Sequence, residues 1–188
     1  MTVEEFVLAE LPAPPARVLE VGCGKGDLAR SLVAAGYDVL AIDPEAPDGP
    51  LFRRTTIEKL DHPGPFMAVV ASRSLHHLHE LEAALDKVVS LLAPSGRILI
   101  DDFAWERLDE ASAGVLGIDH AAWGEEHSGL HTSAAMLDAL TRRFRDGVVT
   151  WTPYMHREAH ASVDERTERA LITAGALAPI GFRYVGTP

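Results

Sequence analysis

Cysteine is nearly missing from this chain. Cys23 stands alone in 188 residues, which excludes an intrachain disulfide and a zinc cluster built from several thiolates, and is compatible with a reducing compartment. Basic residues are also scarce, with 17 Lys and Arg against 28 Asp and Glu and a formal net charge of −11. Non-specific affinity for a phosphate backbone comes mostly from cationic side chains, so this balance argues against a nucleic-acid partner. The dense basic patch Arg142-Arg143-Phe144-Arg145 falls at the end of a predicted helix, where cations complement the helix dipole. No apolar run approaches the roughly 20 residues needed to span a bilayer. The opening segment, MTVEEFVLAELPAPPARV, carries acids where a secretory signal needs bases. A soluble cytoplasmic protein with no membrane partner is predicted. Nine histidines are present, yet none falls in a His-Glu-x-x-His or similar spacing, and no metal site is predicted.

What is present is globular in composition, with 47% hydrophobic and 24% charged residues, in a chain the size of one domain. A short helix is expected over 3–11, stopped by Pro-Ala-Pro-Pro-Ala. Strand and helix then alternate: a strand over 17–21, a helix over 27–35 closed by Gly36, and a strand over 37–43 ending in an acid. The segment 44–65, rich in Pro and Gly, holds at most a short strand over 52–55. A buried strand over 66–71, an amphipathic helix over 80–92, a turn at Ala93-Pro94-Ser95-Gly96 and a strand over 97–101 follow. Beyond residue 102 the pattern loosens, with helical pieces near 105–115 and 133–144. A strand over 148–151, a helix over 164–174 and a strand over 181–185 complete the chain. Strands separated by helices pair in parallel through right-handed crossovers, so the expectation is a three-layer α/β domain.

The chemistry concentrates in Val18-Leu19-Glu20-Val21-Gly22-Cys23-Gly24-Lys25-Gly26-Asp27-Leu28. Ligands of open parallel sheets sit beyond the carboxyl ends of the strands, and a glycine-rich loop after the first strand lets a ligand lie against backbone. A dinucleotide site needs G-x-G-x-x-G aimed at a pyrophosphate. Here the spacing is G-x-G-x-G, and Glu20 precedes the first glycine by two residues. A carboxylate there repels phosphate and suits a cationic group. Asp43, at the end of the second strand, is placed to accept from both ribose hydroxyls. Together the two acids describe a nucleoside that carries positive charge rather than a phosphate.

On these residues the sequence resembles the class I S-adenosylmethionine-dependent methyltransferases. VLEVGCGKGDLA is similar to the family's first motif, AID to its second-strand acid, FMAVVASRSLHHL to its fourth-strand motif and LLAPSGRILIDDF to its fifth, in family order. The resemblance implies a Rossmann-like sandwich with a mostly parallel seven-stranded sheet, order 3-2-1-4-5-7-6, the last strand antiparallel. It implies one methyltransferase domain over 1–188, with a cofactor half over 16–104 and acceptor-side elements over 105–188. It also implies S-adenosylmethionine as cofactor and S-adenosylhomocysteine as product. Carried over by position, Glu20 would face the methionyl amino group, and Gly22, Cys23, Gly24 and Gly26 would supply backbone. Asp43 would hold the ribose, Pro44 would lie against adenine, and Thr56 and Ile57 take the place of a pair that is usually Asp-Ala. Ala71 and Ser72 would meet the methionyl part.

No Asn/Asp-Pro-Pro-Tyr/Phe sequence follows the fourth strand, which argues against the amide and exocyclic-amine methylation that signature serves. In similar small-molecule methyltransferases a pair like His76-His77 borders the acceptor pocket, and an acid after the fifth strand pairs with it; Asp101 and Asp102 match that acid's place. Tyr154 and His156 fall where a crossover walls the acceptor pocket. Histidine titrates near neutrality, which suits a general base. Cys23, set between two glycines, reads as a small residue rather than a nucleophile. The implied activity is methyl transfer to oxygen or nitrogen of a small-molecule acceptor. Two alternatives share the motifs: a non-catalytic module binding S-adenosylmethionine or S-adenosylhomocysteine, and a protein or RNA methyltransferase.

Overall fold

The computed structural model describes residues 1–158 and 162–188. In chain order the elements are α1 (Val3–Glu10), β1 (Arg17–Val21), α2 (Asp27–Ala34), β2 (Asp38–Asp43), β3 (Phe52–Arg54), β4 (Phe66–Ser72), α3 (Leu81–Leu91) and β5 (Leu92–Phe103). There follow α4 (Glu110–Leu116), α5 (His120–His127), α6 (Ser133–Thr141), β6 (Arg145–Thr152), α7 (Glu165–Thr173) and β7 (Gly181–Thr187). Among the described residues, seven strands form one sheet in the order β3-β2-β1-β4-β5-β7-β6. Of these, β7 runs antiparallel to both its neighbours, β5 and β6. This is the Rossmann-like architecture and strand order that the motifs implied.

Pleating sorts the strand residues between two cores. Val18, Ala68, Val70 and Leu99 point to the face covered by α1 and α2. Leu19, Val21, Val69, Ile98 and Ile100 point to the face covered by α3 and α6. A third cluster, around Phe103, Trp123, Tyr154 and Ile180, closes the carboxyl end of β5. Parallel strands covered on both faces are apolar on both, which is why β1, β4 and β5 read as near-continuous hydrophobic runs. No helix among the described residues is long and apolar enough to cross a membrane.

Three details differ from the sequence reading. Ala93-Pro94-Ser95-Gly96 is not a separate turn; it lies within β5, where the pairing with β4 shifts register between Phe66 and Ala68. The helix α5 was not expected, because only Trp123 and His127 of its eight residues are buried and the apolar period is too weak to register. Its start was legible, since Asp119 accepts from the N–H groups of Ala121 and Ala122 as an N-cap. Finally, β6 is twice as long as expected, 145–152, because the first six residues of this edge strand are exposed and carry no hydrophobic pattern.

Gly26 begins α2 with φ +79°, and a Cβ there would lie 2.4 Å from the Phe52 ring. Gly26→Ala is expected to cost about 2 kcal/mol, seen as a lowered denaturant midpoint at unchanged slope. Gly114→Ala, inside α4 with open space at its Cβ, should instead stabilise by about 0.5–1 kcal/mol. Equal effects at the two positions would refute this account of Gly26.

Candidate active site

The glycine loop is fastened to the second strand. Gly22 and Cys23 both donate to Ile42 O, at 2.8 and 3.1 Å, and Gly24 N–H donates to Asp43 Oδ2 at 3.0 Å. Asp43 Oδ1 accepts from Glu45 N–H at 2.8 Å, so one carboxylate sets the geometry of both loops. A Cβ on Gly22 would collide with Ser74, 2.3 Å away, whose hydroxyl donates to Val21 O. The chain itself therefore explains Gly22, as it explains Gly26. At Gly24, with φ +50°, a Cβ would meet nothing within 4 Å. This glycine stands against open space.

Glu20 follows Val18 on the α1–α2 face of β1 and is 3% exposed. Its Oε2 has no hydrogen-bond partner among the described residues. Desolvation pushes its pKa up to about 7, opposed by the Ala29 N–H and reinforced by Asp27 and Asp43. Cys23 is buried beside it, its thiol pushed up to about 12 chiefly by desolvation and then by Glu20. Such a thiol is a poor nucleophile at neutral pH.

Two cavities open along the carboxyl edge of the sheet and meet at Gly22 and Arg73. The smaller, about 410 Å³, is lined by Gly24, Asp43, Pro44, Thr56, Ile57 and His77. The larger, about 590 Å³, runs from Glu20, Cys23 and Ser72 to Thr152, His156 and Arg157. Ala71 is buried in the sheet just before Ser72. Of the eleven residues that the sequence offered for a cofactor, nine line one or other of these joined cavities, and Gly26 and Ala71 line neither.

The histidine pair behaves less uniformly. His76 is 5% exposed, and its Nδ1–H donates to Asp102 Oδ1 at 2.5 Å. Asp102 also accepts from Leu75 N–H at 3.0 Å and Phe103 N–H at 2.8 Å, so both carboxylate oxygens are engaged. His77 is exposed on the smaller cavity, its ring 4.1 Å from that of His76. Desolvation, with His76 next, lowers its pKa. His131 fastens this loop from the start of α6, with Nε2–H donating to Leu78 O at 2.7 Å and its backbone N–H to His76 O.

Asp101 needs correction. Treated with Asp102 as one place for an acid that pairs with histidine, it in fact points to the opposite face, because consecutive strand residues alternate. It accepts from Arg157 at 2.7 Å and from Arg183 at 2.8 Å, Arg183 lying directly across the ladder on β7. Tyr154 lines neither cavity. It is 1% exposed, stacks on Phe103 at 4.3 Å, and has its hydroxyl pKa raised by burial. His156 does reach the larger cavity, held by Nδ1–H donation to Glu168 at 2.7 Å.

Glu168, 1% exposed, was missed. Its carboxylate accepts from Tyr154, Met155 and His156 N–H as well as from the His156 ring, which fixes the loop after β6. Set in Glu165-Arg166-Thr167-Glu168-Arg169, it looks like part of a solvated helix face. Arg73, at the junction of the cavities, was also missed. Among the described residues no group of three or more His, Cys, Asp or Glu converges to hold a metal ion.

A seven-stranded sheet of this order, with a glycine loop at the end of its first strand and an acid at the end of its second, defines the class I S-adenosylmethionine-dependent methyltransferases. A family model for the methyltransferase domain matches residues 3–168, and the chain belongs to that family. It is similar to methyltransferase str2 of Strobilurus tenacellus, with 38% identity over an alignment covering 92% of this chain and 71% of that protein. It is also similar to the ubiquinone biosynthesis O-methyltransferase of Xylella fastidiosa (strain 9a5c), 32% identical over 51% of this chain and 45% of that one. The chain thus spans less than half the length of such ubiquinone-pathway relatives. Its fold is similar to that of an S-adenosylmethionine-dependent methyltransferase from Mesorhizobium loti, with TM-score 0.64 and 18% identity over 98% of this chain and 96% of the other.

The raised pKa of Glu20 has a stability consequence. Between about pH 4.5 and 7 the folded chain keeps a proton that the unfolded chain has lost, so stability falls as pH rises through that window. Glu20→Gln removes this loss. Thermal or urea unfolding should find the variant more stable by about 2 kcal/mol at pH 8, and nearly equal to the parent at pH 4. A destabilised variant at pH 8 would mean that Glu20 is satisfied in a way its burial does not suggest.

Proposed function

We infer that the chain is a methyltransferase, one functional unit over 1–188, that moves the methyl group of S-adenosylmethionine to oxygen or nitrogen of a small-molecule acceptor. The observation that carries the reading is Glu20, a buried carboxylate oxygen without a partner among the described residues at the edge of an open cavity. Such a group asks for a cationic donor, and the cofactor's ammonium is one. Gly24, with open space where a Cβ would stand, lets the ribose side approach its backbone closely. Asp43 already accepts two backbone N–H groups, and a carboxylate with about four acceptor sites keeps capacity for ribose hydroxyls. Pro44, Thr56 and Ile57 would border the adenine, Thr56 supplying a hydroxyl where the family usually has a carboxylate. The similarity to a ubiquinone biosynthesis O-methyltransferase supports a small molecule and oxygen as the acceptor atom.

When bound, S-adenosylmethionine supplies a methyl group activated by a sulfonium. The chain then aligns the acceptor and removes its proton. His77 suits the proton removal, because it is exposed on a cavity and its lowered pKa keeps it neutral, able to accept a proton at Nδ1 or Nε2, at neutral pH. His76 is too enclosed to reach an acceptor directly. Through Asp102 it is locked in one tautomer, and its ring backs His77. His156, anchored by Glu168, walls the larger cavity opposite Glu20.

Isothermal titration with S-adenosylmethionine, S-adenosylhomocysteine and NAD tests the cofactor assignment. The first two should bind and NAD should not, and Asp43→Ala should weaken S-adenosylmethionine by at least about tenfold. Binding of NAD alone would end the methyltransferase reading. With an accepted substrate in hand, His77→Ala should lower kcat by about 10²–10⁴-fold with cofactor affinity unchanged. Because a base works in its neutral form, the wild-type rate should hold through neutral pH and fall on the acid side, with a midpoint below the ordinary histidine value of about 6.5. Wild-type turnover by His77→Ala would rule out His77 as the base.

A further inference from the structure

Arg73 has no part in the methyl-transfer reading. It follows β4 directly and lines both cavities. Its φ of +54° is a left-handed conformation that favours glycine. The backbone is fastened there, its N–H donating to Asp101 O at 2.8 Å. Strain of this kind persists where surrounding structure imposes it, and it gathers at ligand sites. Among the described residues the Arg73 guanidinium enters no ion pair.

Arginines gather around it on the larger cavity, while Asp43 and Glu58 line the smaller one. Arg73 and Arg157 lie 5.9 and 5.7 Å from the centre of the same Tyr154 ring. Arg157 and Arg183 share the single carboxylate of Asp101. Of the other acids on the larger cavity, Glu165 is paired with Arg169 and Asp27 with Arg30, while Glu20 faces the glycine loop. Glu158 stands near the Tyr154 hydroxyl and pairs with no cation among the described residues. Arg73 is the guanidinium that stands where the two cavities meet.

We propose that the methyl acceptor carries an acidic group, a carboxylate or a phosphate, and that Arg73 holds it at the junction of the two cavities. The planar fork of guanidinium matches either oxyanion with two parallel hydrogen bonds. Held there, the acceptor lies between the Glu20 end of the larger cavity and His77 on the smaller one. The proposal rests on the methyl-transfer reading, since it assigns the acceptor of that reaction.

The test is isothermal titration of benzoate, phenyl phosphate and neutral benzamide into protein saturated with S-adenosylhomocysteine, for the wild type, Arg73→Gly and Arg73→Lys. Arg73→Gly relieves the left-handed strain, so its thermal melt should match or exceed the parent's. At least one anion should bind the wild type about tenfold or more tightly than benzamide, Arg73→Gly should abolish the preference, and Arg73→Lys should keep part of it. Affinity for S-adenosylhomocysteine should stay within about threefold throughout. Equal binding of anions and benzamide, or a preference that survives Arg73→Gly, overturns the proposal. So does a tenfold loss of S-adenosylhomocysteine affinity in Arg73→Gly, which would assign Arg73 to the cofactor's own carboxylate. If S-adenosylhomocysteine does not bind the wild type, the methyl-transfer reading itself fails, at a stage before any Arg73 variant enters.

Discussion

A strand with neighbours on both edges and helices on both faces has no wet surface, and every polar group it carries must find a partner inside the protein. In this chain β1, β4 and β5 are such strands. Water reaches the middle of the sheet only at the strand ends, and the carboxyl ends open onto the two cavities. All the ionisable groups that β1 and β5 place there are therefore under strong constraint: partnered, neutralised, or costly.

Three acids show the three outcomes. Asp102 is satisfied by two backbone N–H groups and His76, and holds the loop of residues 75–77 in one conformation. Asp101, one residue earlier and one face away, is neutralised by two arginines and ties β5 to β7 and to the loop after β6. Glu20 is left with an unpartnered oxygen, and its pKa rises accordingly. The first two stabilise the frame. The third costs stability near neutral pH and is the group that a cationic ligand would relieve. Natural sequences carry such inconsistencies at functional sites, where local consistency gives way to binding.

The acceptor side is built on the same terms from a different part of the chain. Glu168 gathers Tyr154, Met155 and His156 with one carboxylate, and Tyr154 in turn stacks on Phe103 at the end of β5. The wall of the larger cavity thus depends on a charge buried in α7 and on an aromatic pair, neither of which touches the glycine loop. Two halves of the site, separated by more than a hundred residues in sequence, meet because β6 and β7 return the chain to the sheet beside β5.

Much of this was legible before any coordinates. Periodicity marked the alternation of strand and helix, Gly22, Gly24, Gly26, Glu20 and Asp43 lie at fixed distances along one βαβ unit, and their geometry follows from local backbone rules once the strand is placed. The residues from Trp105 onward were harder, since their helices bury only a few side chains and their edge strand buries almost none. The sequence by itself determined the first βαβ unit, with its glycine loop and pair of acids, because each is specified by neighbours within about thirty residues of chain. The tertiary structure alone decided that Asp102 and not Asp101 meets the histidines, that Glu168 is buried, and that Arg73 enters no ion pair among the described residues where the two cavities join. Which face a side chain takes at a strand end, and which distant charge reaches it, depends on register and on long-range packing that a linear pattern does not encode.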